Sequence, residues 1–225
     1  MTAIGIPNSL DETIWNAILA DAQRRMPGYK VVAKATSGLS WFSPTYASTM
    51  LLTSYMPPAA LDGWHWWLLG HEQLHASDYS ANKAWWIVSY LFPQWLALGS
   101  FGAFGAFASL WFLLLLGSIV FVFLPSPFRT HWERRGYMMS ICLLILKYGE
   151  SYVTSGDYIA GLVAEYTTCA YLWMDPFATT VEAWVRDDIR RGIAIVRGEY
   201  DDPTFGAMVA LVRGVVAKAS APAVA

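Results

Sequence analysis

Leu68-Leu69-Gly70-His71-Glu72-Gln73-Leu74-His75 (LLGHEQLH) is the stretch from which the rest of the chain takes its meaning. On a helix, positions i and i+4 share a face, so His71 and His75 present two imidazole nitrogens to one point. Two imidazoles at that spacing suit a divalent metal, and Zn2+ is the natural guest. Glu72 lies one position round from the first ligand. Its carboxylate can there take a proton from a water molecule activated by the ion, as a general base.

Composition frames what surrounds this helix. The chain has 225 residues, 56% of them apolar and only 14% charged, with twelve tryptophans and a net charge of −2. A nucleic-acid partner would require a basic patch, so nucleic acid is excluded as a partner. Cys142 and Cys169 lie in apolar helical stretches without CxxC spacing and read as free buried thiols. The first thirty residues are amphipathic and charged, so no N-terminal signal peptide is expected.

The sequence predicts a mainly α protein with a small N-terminal β-sheet, an α+β class. Ser9-Leu10-Asp11-Glu12 reads as a capping box opening a helix to about Arg25, with Ile14, Ile18 and Leu19 on one face. Tyr29 to Lys34 and Ser48 to Tyr55 (STMLLTSY) read as strands, the second beside the motif helix. An edge strand in that place can hold extended substrate by strand addition. The motif helix is expected from about Ala60 to Ser80, buried through Trp64, Trp67, Leu68 and Leu74.

Ala84 to Phe128 contains no charged residue over 45 positions, too long for one membrane span and barely long enough for two. A turn in the glycine-rich stretch from Gly99 to Gly105 leaves arms of roughly 16 to 20 residues, about 25 to 30 Å as helix. The second arm is Ala106 to Leu124, and Trp85, Trp86 and Trp111 suit membrane interfaces. This pattern predicts a transmembrane hairpin, with a lipid bilayer as partner. Ser126-Pro127 then restarts a helix to about Tyr148. Further helices are expected at Tyr158 to Met174, Pro176 to Arg197 and Pro203 to Lys218, ahead of a frayed tail at 219–225. The whole reads as one domain. Its segments are 1–58, the motif helix at 59–81, the hairpin at 84–125, the helix at 126–148 and the C-terminal helices at 157–218.

A catalytic zinc usually takes three protein ligands, so one is missing from the motif. A third histidine six residues past His75 is absent, because that position is Ala81. Asp78 is on the same helix and suits a supporting role toward a histidine. His65, nearly two turns before His71, approaches from the same flank but reads as a packing residue. Glu133 is the preferred ligand, with Tyr137 one turn later on the same face. The competing reading makes Thr130 to Glu133 a capping box, and Glu150, Asp157 and Glu165 stay open as ligands. Tyr137 and His131 are the candidates for donating to a developing oxyanion.

The order STMLLTSY, proline, LLGHEQLH, apolar hairpin, Pro-Phe-Arg and Trp-Glu-Arg-Arg-Gly-Tyr, from about Ser48 to Tyr148, resembles a group of small bacterial and phage HExxH proteins regarded as zinc metallopeptidases. Their third-ligand helix typically reads Glu-x-x-Ala-Tyr, and this chain has Gly136 in place of the alanine. The layout is also similar to gluzincin membrane proteases of the CAAX-protease and heat-shock-protease type. The resemblance implies a zincin-like core with His71, His75 and Glu133 as ligands and Glu72 as catalytic base, acting on a protein or peptide substrate. Those ligands can meet only if the intervening chain crosses a bilayer an even number of times. Lys83, Arg129, Arg134 and Arg135 flank the run and place both ends in the cytoplasm of a bacterium, or of its host for a phage protein. The alternative is a non-catalytic, membrane-associated structural or interaction protein with a vestigial or structural zinc site. A di-metal oxidase is disfavoured, since four histidines and one ExxH are too few.

Overall fold

A computed structural model describes residues 6–38, 46–107, 109, 115, 117–118, 120–121, 124–168 and 174–221, without the side chains of 95 and 102–107. Helix α1 (Asp11–Arg25) buries Ile14, Trp15, Ile18 and Ala22. Each large apolar side chain buried in this way contributes about 1.5–3 kcal/mol. The capping box is not made, because Leu10 occupies the N-cap position without a side-chain bond. Asp11 turns inward instead and accepts from Trp66 Nε1 at 2.8 Å and Lys147 Nζ at 2.5 Å.

Strand β1 (Lys30–Ala33) follows the left-handed Gly28. The stretch read as one strand is a hairpin: β2 (Ser48–Met50) reverses through Leu51, at φ 59°, into β3 (Thr53–Met56). β3 is central, parallel to β1 and antiparallel to β2, with Met50 opposite Thr53. Helix α2 (Trp66–Ala81) lies against β2 and β3 and also packs on α1. It begins six residues later than expected, after a short 3-10 turn at Pro58–Ala60. Its contact residues also differ: Trp66, Leu69 and the whole run from Gly70 to Ala76 are buried, whereas Trp64 is exposed.

The chain divides into two compact units, one formed by 1–82, 134–155 and 186–225 and the other by 83–133 and 156–185. Helix α4 (Pro127–Tyr148) contributes its residues from Arg134 onward to the first unit, where it buries Met138 to Ile145 without a break. A Cβ on Gly192 would lie 2.7 Å from Ile141, so α7 (Ala178–Arg197) approaches α4 closely there. Cys142 is buried at this seam, and burial pushes its thiol up to about 12, as expected of an inert core cysteine. Helix α8 (Pro203–Ser220) starts at Asp202, an N-cap that accepts from the backbone N–H groups of Thr204 and Phe205, and packs on α1. The charged face of α7 is more than a solvated surface: Asp188 is buried and accepts two bonds from Arg134, at 2.6 and 3.0 Å.

In the second unit, α3 (Lys83–Tyr90) is only eight residues long and ends in a turn before a 3-10 stretch at Gln94–Phe107. No described helix is long and apolar enough to cross a membrane, so the expected pair of spanning helices is not found among the described residues. Much of the second arm, Ala106 to Leu124, lies outside them, as do Trp111 and Cys169. Between α4 and the next helix, expected from Tyr158, the chain forms a helical turn, α5 (Glu150–Val153), and α6 (Gly156–Thr167) then begins ahead of that point.

Candidate metal centre

The centre of α2 is buried on every side, and this is where the motif residues sit. His71, Glu72 and His75 are each 5% exposed or less. One helical turn stacks the two imidazoles, whose Nε2 atoms lie 3.0 Å apart. Two nitrogens held by one tetrahedral ion at ordinary bond lengths would be separated by about 3.3 Å. The pair therefore needs only a few tenths of an ångström to accommodate one. The Glu133 carboxylate completes the group: one ligand atom from each of His71, His75 and Glu133 lies within 4.8 Å of the others, and all three side chains are buried. Two neutral imidazoles and a carboxylate form a donor set suited to a divalent cation. A buried His71, His75, Glu133 group that can hold a metal ion is thus present.

Glu133 reaches it from the second turn of α4, well inside the helix, so the capping-box alternative fails. The same helix shapes the seat of His71. A Cβ on residue 136 would lie 2.5 Å from His71 Nε2 and 2.7 Å from Cε1, so only glycine lets the ring lie against the backbone. One turn on, Ser140 Oγ is 3.4 Å from His71 Nδ1. A proton on Nδ1 donated to Ser140 leaves the Nε2 lone pair for an ion. Tyr137 places its ring edge-on to His71, with centroids 4.9 Å apart at 87°.

Glu72 is not one of the grouped ligands, and β2 holds it. Thr49 Oγ1 lies 2.7 Å from Glu72 Oε2, 3.1 Å from the Glu72 carbonyl and 2.7 Å from Ser54 Oγ. Ser54 Oγ in turn lies 2.8 Å from the Tyr29 hydroxyl. An ionised carboxylate only accepts, which orients the whole chain. Tyr29 donates to Ser54, Ser54 to Thr49, and Thr49 to Glu72. Burial, followed in smaller measure by the charge of Glu72, raises the Tyr29 hydroxyl above its ordinary value and keeps it a donor. Burial also lowers Lys34, with Glu72 opposing, while its ammonium donates to the Tyr46 carbonyl and Ser48 Oγ at the start of β2.

Other candidates go elsewhere. His131 is exposed beside Trp132 and, two positions from Glu133, faces about 200° away around the helix. His65 sits at the α2 N-cap, 3.4 Å from Asp62. Asp78 does not orient a histidine; it accepts two bonds from Arg135, at 2.9 and 3.0 Å. Glu150 is held by Arg197, Asp157 is exposed, and Glu165 lies outside the group. Sequence reasoning missed Thr49, Ser140 and Tyr90, whose hydroxyl donates to Glu133 Oε1 at 2.5 Å. Tyr90 carried one signal, as the single tyrosine of the charge-free run. Searches of protein-family models, curated proteins and solved structures returned no match to this chain.

Proposed function

We propose that this chain is a zinc-dependent endopeptidase, its metal held by His71, His75 and Glu133. The observation carrying this reading is a buried His/His/Glu group, with a further buried carboxylate, Glu72, next to His71 in the chain and bonded by a hydroxyl from the neighbouring strand. Bound zinc would supply Lewis acidity, lowering the pKa of a water molecule and polarising a peptide carbonyl. Glu72 takes the proton of the attacking water and returns it to the departing amine. Thr49 keeps the Glu72 carboxylate from turning away, and strand β2, at the sheet edge, offers backbone groups to an extended peptide. Tyr137, whose ring lies edge-on to His71, serves in this reading as the donor to the substrate carbonyl oxygen.

Membrane association belongs to this proposal and rests on α3. Its outward positions Ala84, Trp85, Ile87 and Val88, with Leu91 just beyond, are apolar, while Ser89 is turned inward and accepts from Trp132 Nε1. A helix with that polarity suits lipid contact at a membrane surface, and the flanking cations favour the cytoplasmic leaflet.

Burial of all four side chains also favours a second reading, a structural metal site without turnover. Metal analysis and casein cleavage by the wild type and Glu72→Gln separate the two. The peptidase reading expects one equivalent of zinc in both proteins and cleavage only by the wild type. Zinc in both with cleavage in neither establishes the structural reading. Equal cleavage by both removes Glu72 from the mechanism.

A further inference from the structure

We infer that Tyr90 is a positioning residue for the metal centre, committing one oxygen of Glu133 so that the other is presented to the ion. The inference rests on His71, His75 and Glu133 being the metal ligands. Its starting point is the 2.5 Å bond from the Tyr90 hydroxyl to Glu133 Oε1, across 43 residues of chain. A phenol in that position draws charge toward Oε1 and fixes the carboxylate plane, leaving Oε2 as the stronger donor to a cation.

Tyr90 is itself fixed from three directions. Its ring stacks on Trp86, with centroids 4.7 Å apart at 18°. The Arg129 guanidinium lies 5.3 Å from the ring centroid, and Arg129 Nε donates to the Tyr90 carbonyl at 3.3 Å. Alongside, Trp132 Nε1 donates to Ser89 Oγ at 2.9 Å. Arg129 stands one turn before Glu133 on α4, so a single helix supplies both the ligand and the cation that anchors its partner. A cation over a phenol ring also withdraws electron density from the hydroxyl and strengthens it as a donor. The end of α3 is thereby built to deliver one hydroxyl to one carboxylate oxygen. This gives the start of the charge-free run a task at the centre, separate from any contact with lipid.

The test is metal affinity, measured on the full chain by chelator competition with Zn2+ and Co2+. Tyr90→Phe keeps the ring, its stacking and the Arg129 contact, and removes only the hydroxyl. It should weaken binding roughly 10- to 100-fold, the usual effect of losing a ligand's hydrogen-bond partner. Thermal melting of the metal-free protein checks that the variant folds. The visible spectrum of the Co2+ form should lose intensity, because a released Glu133 can bind through both oxygens and raise the coordination number from four to five. In a Glu133→Ala background, where residual binding depends on the two histidines, Tyr90→Phe should change nothing. Arg129→Met, which leaves the hydroxyl but loosens its hold, should give an intermediate loss. Wild-type affinity and spectrum in Tyr90→Phe would overturn the inference, as would an equal loss with and without Glu133. A wild type that binds neither metal overturns the centre itself, and the proposed peptidase with it.

Discussion

Gly136 shows how closely one atom can determine the centre. The space a Cβ would fill at this position is occupied by the His71 ring. Gly136→Ala forces that ring off α4 and out of its present seat, so it should lower zinc affinity at least tenfold. It should also destabilise the fold by about 1–3 kcal/mol, the range for overpacking a filled site. Zinc titration and a thermal melt on the same preparation measure both. The three residues of the buried group were legible in the sequence, because i and i+4 on a helix leave a periodic mark and Glu133 with Tyr137 repeats the spacing. Their supports were not. Thr49 reaches Glu72 across 23 residues and Tyr90 reaches Glu133 across 43, and a contact between distant segments leaves no periodicity. Gly136 was visible only as a departure from a pattern, since its reason is the volume of a neighbour.

Among the elements, α1, α2 and α4 are joined by one buried ionic knot. Asp11 and Lys147 are each 2% exposed along the side chain, and Trp66 and Asn8 bond into the same pair. Removing one partner strands the other charge. Lys147→Met alone should cost about 3–5 kcal/mol, and Asp11→Asn with Lys147→Met together distinctly less than the sum of the single changes. Urea denaturation midpoints for the four proteins read this directly. Helix existence was legible throughout, in the apolar spacing of α1 and the Asp202-Pro203 start of α8. The hairpin within STMLLTSY was not, because its turn uses Leu51 at positive φ instead of the glycine or asparagine that marks such turns. The charge-free run 84–128 matches two spans by count, whereas α3 stops after eight residues and no described helix is long and apolar enough to cross a membrane.

For the molecule as a whole, one half-buried carboxyl, Glu165, imposes a pH dependence on stability. Glu165 is half-buried and its Oε2 has no hydrogen-bond partner among the described residues. Burial chiefly, and the charge of Glu133 secondarily, raise its carboxyl above the ordinary glutamate value. The folded chain therefore holds this proton more tightly than the unfolded chain does. Stability falls as pH rises from about 4.3, the unfolded value, through the raised folded value. Glu165→Gln should accordingly stabilise the chelator-treated protein at pH 7, by less than about 1 kcal/mol because solvent screens a half-exposed group. The gain should vanish as pH drops below about 4, where both forms are neutral in folded and unfolded states. Urea melts of the two proteins at pH 4 and pH 7 test the sign. A different consequence follows from α4, which bears Glu133, the Gly136 seat and Ser140 at steps of three and four. Substitutions on its other faces leave these three aligned, whereas inserting or deleting one residue between them turns one end by about 100° against the other. The heritable property of this helix is its phase, so length variation should be excluded from 133–140 far more strictly than changes of side chain.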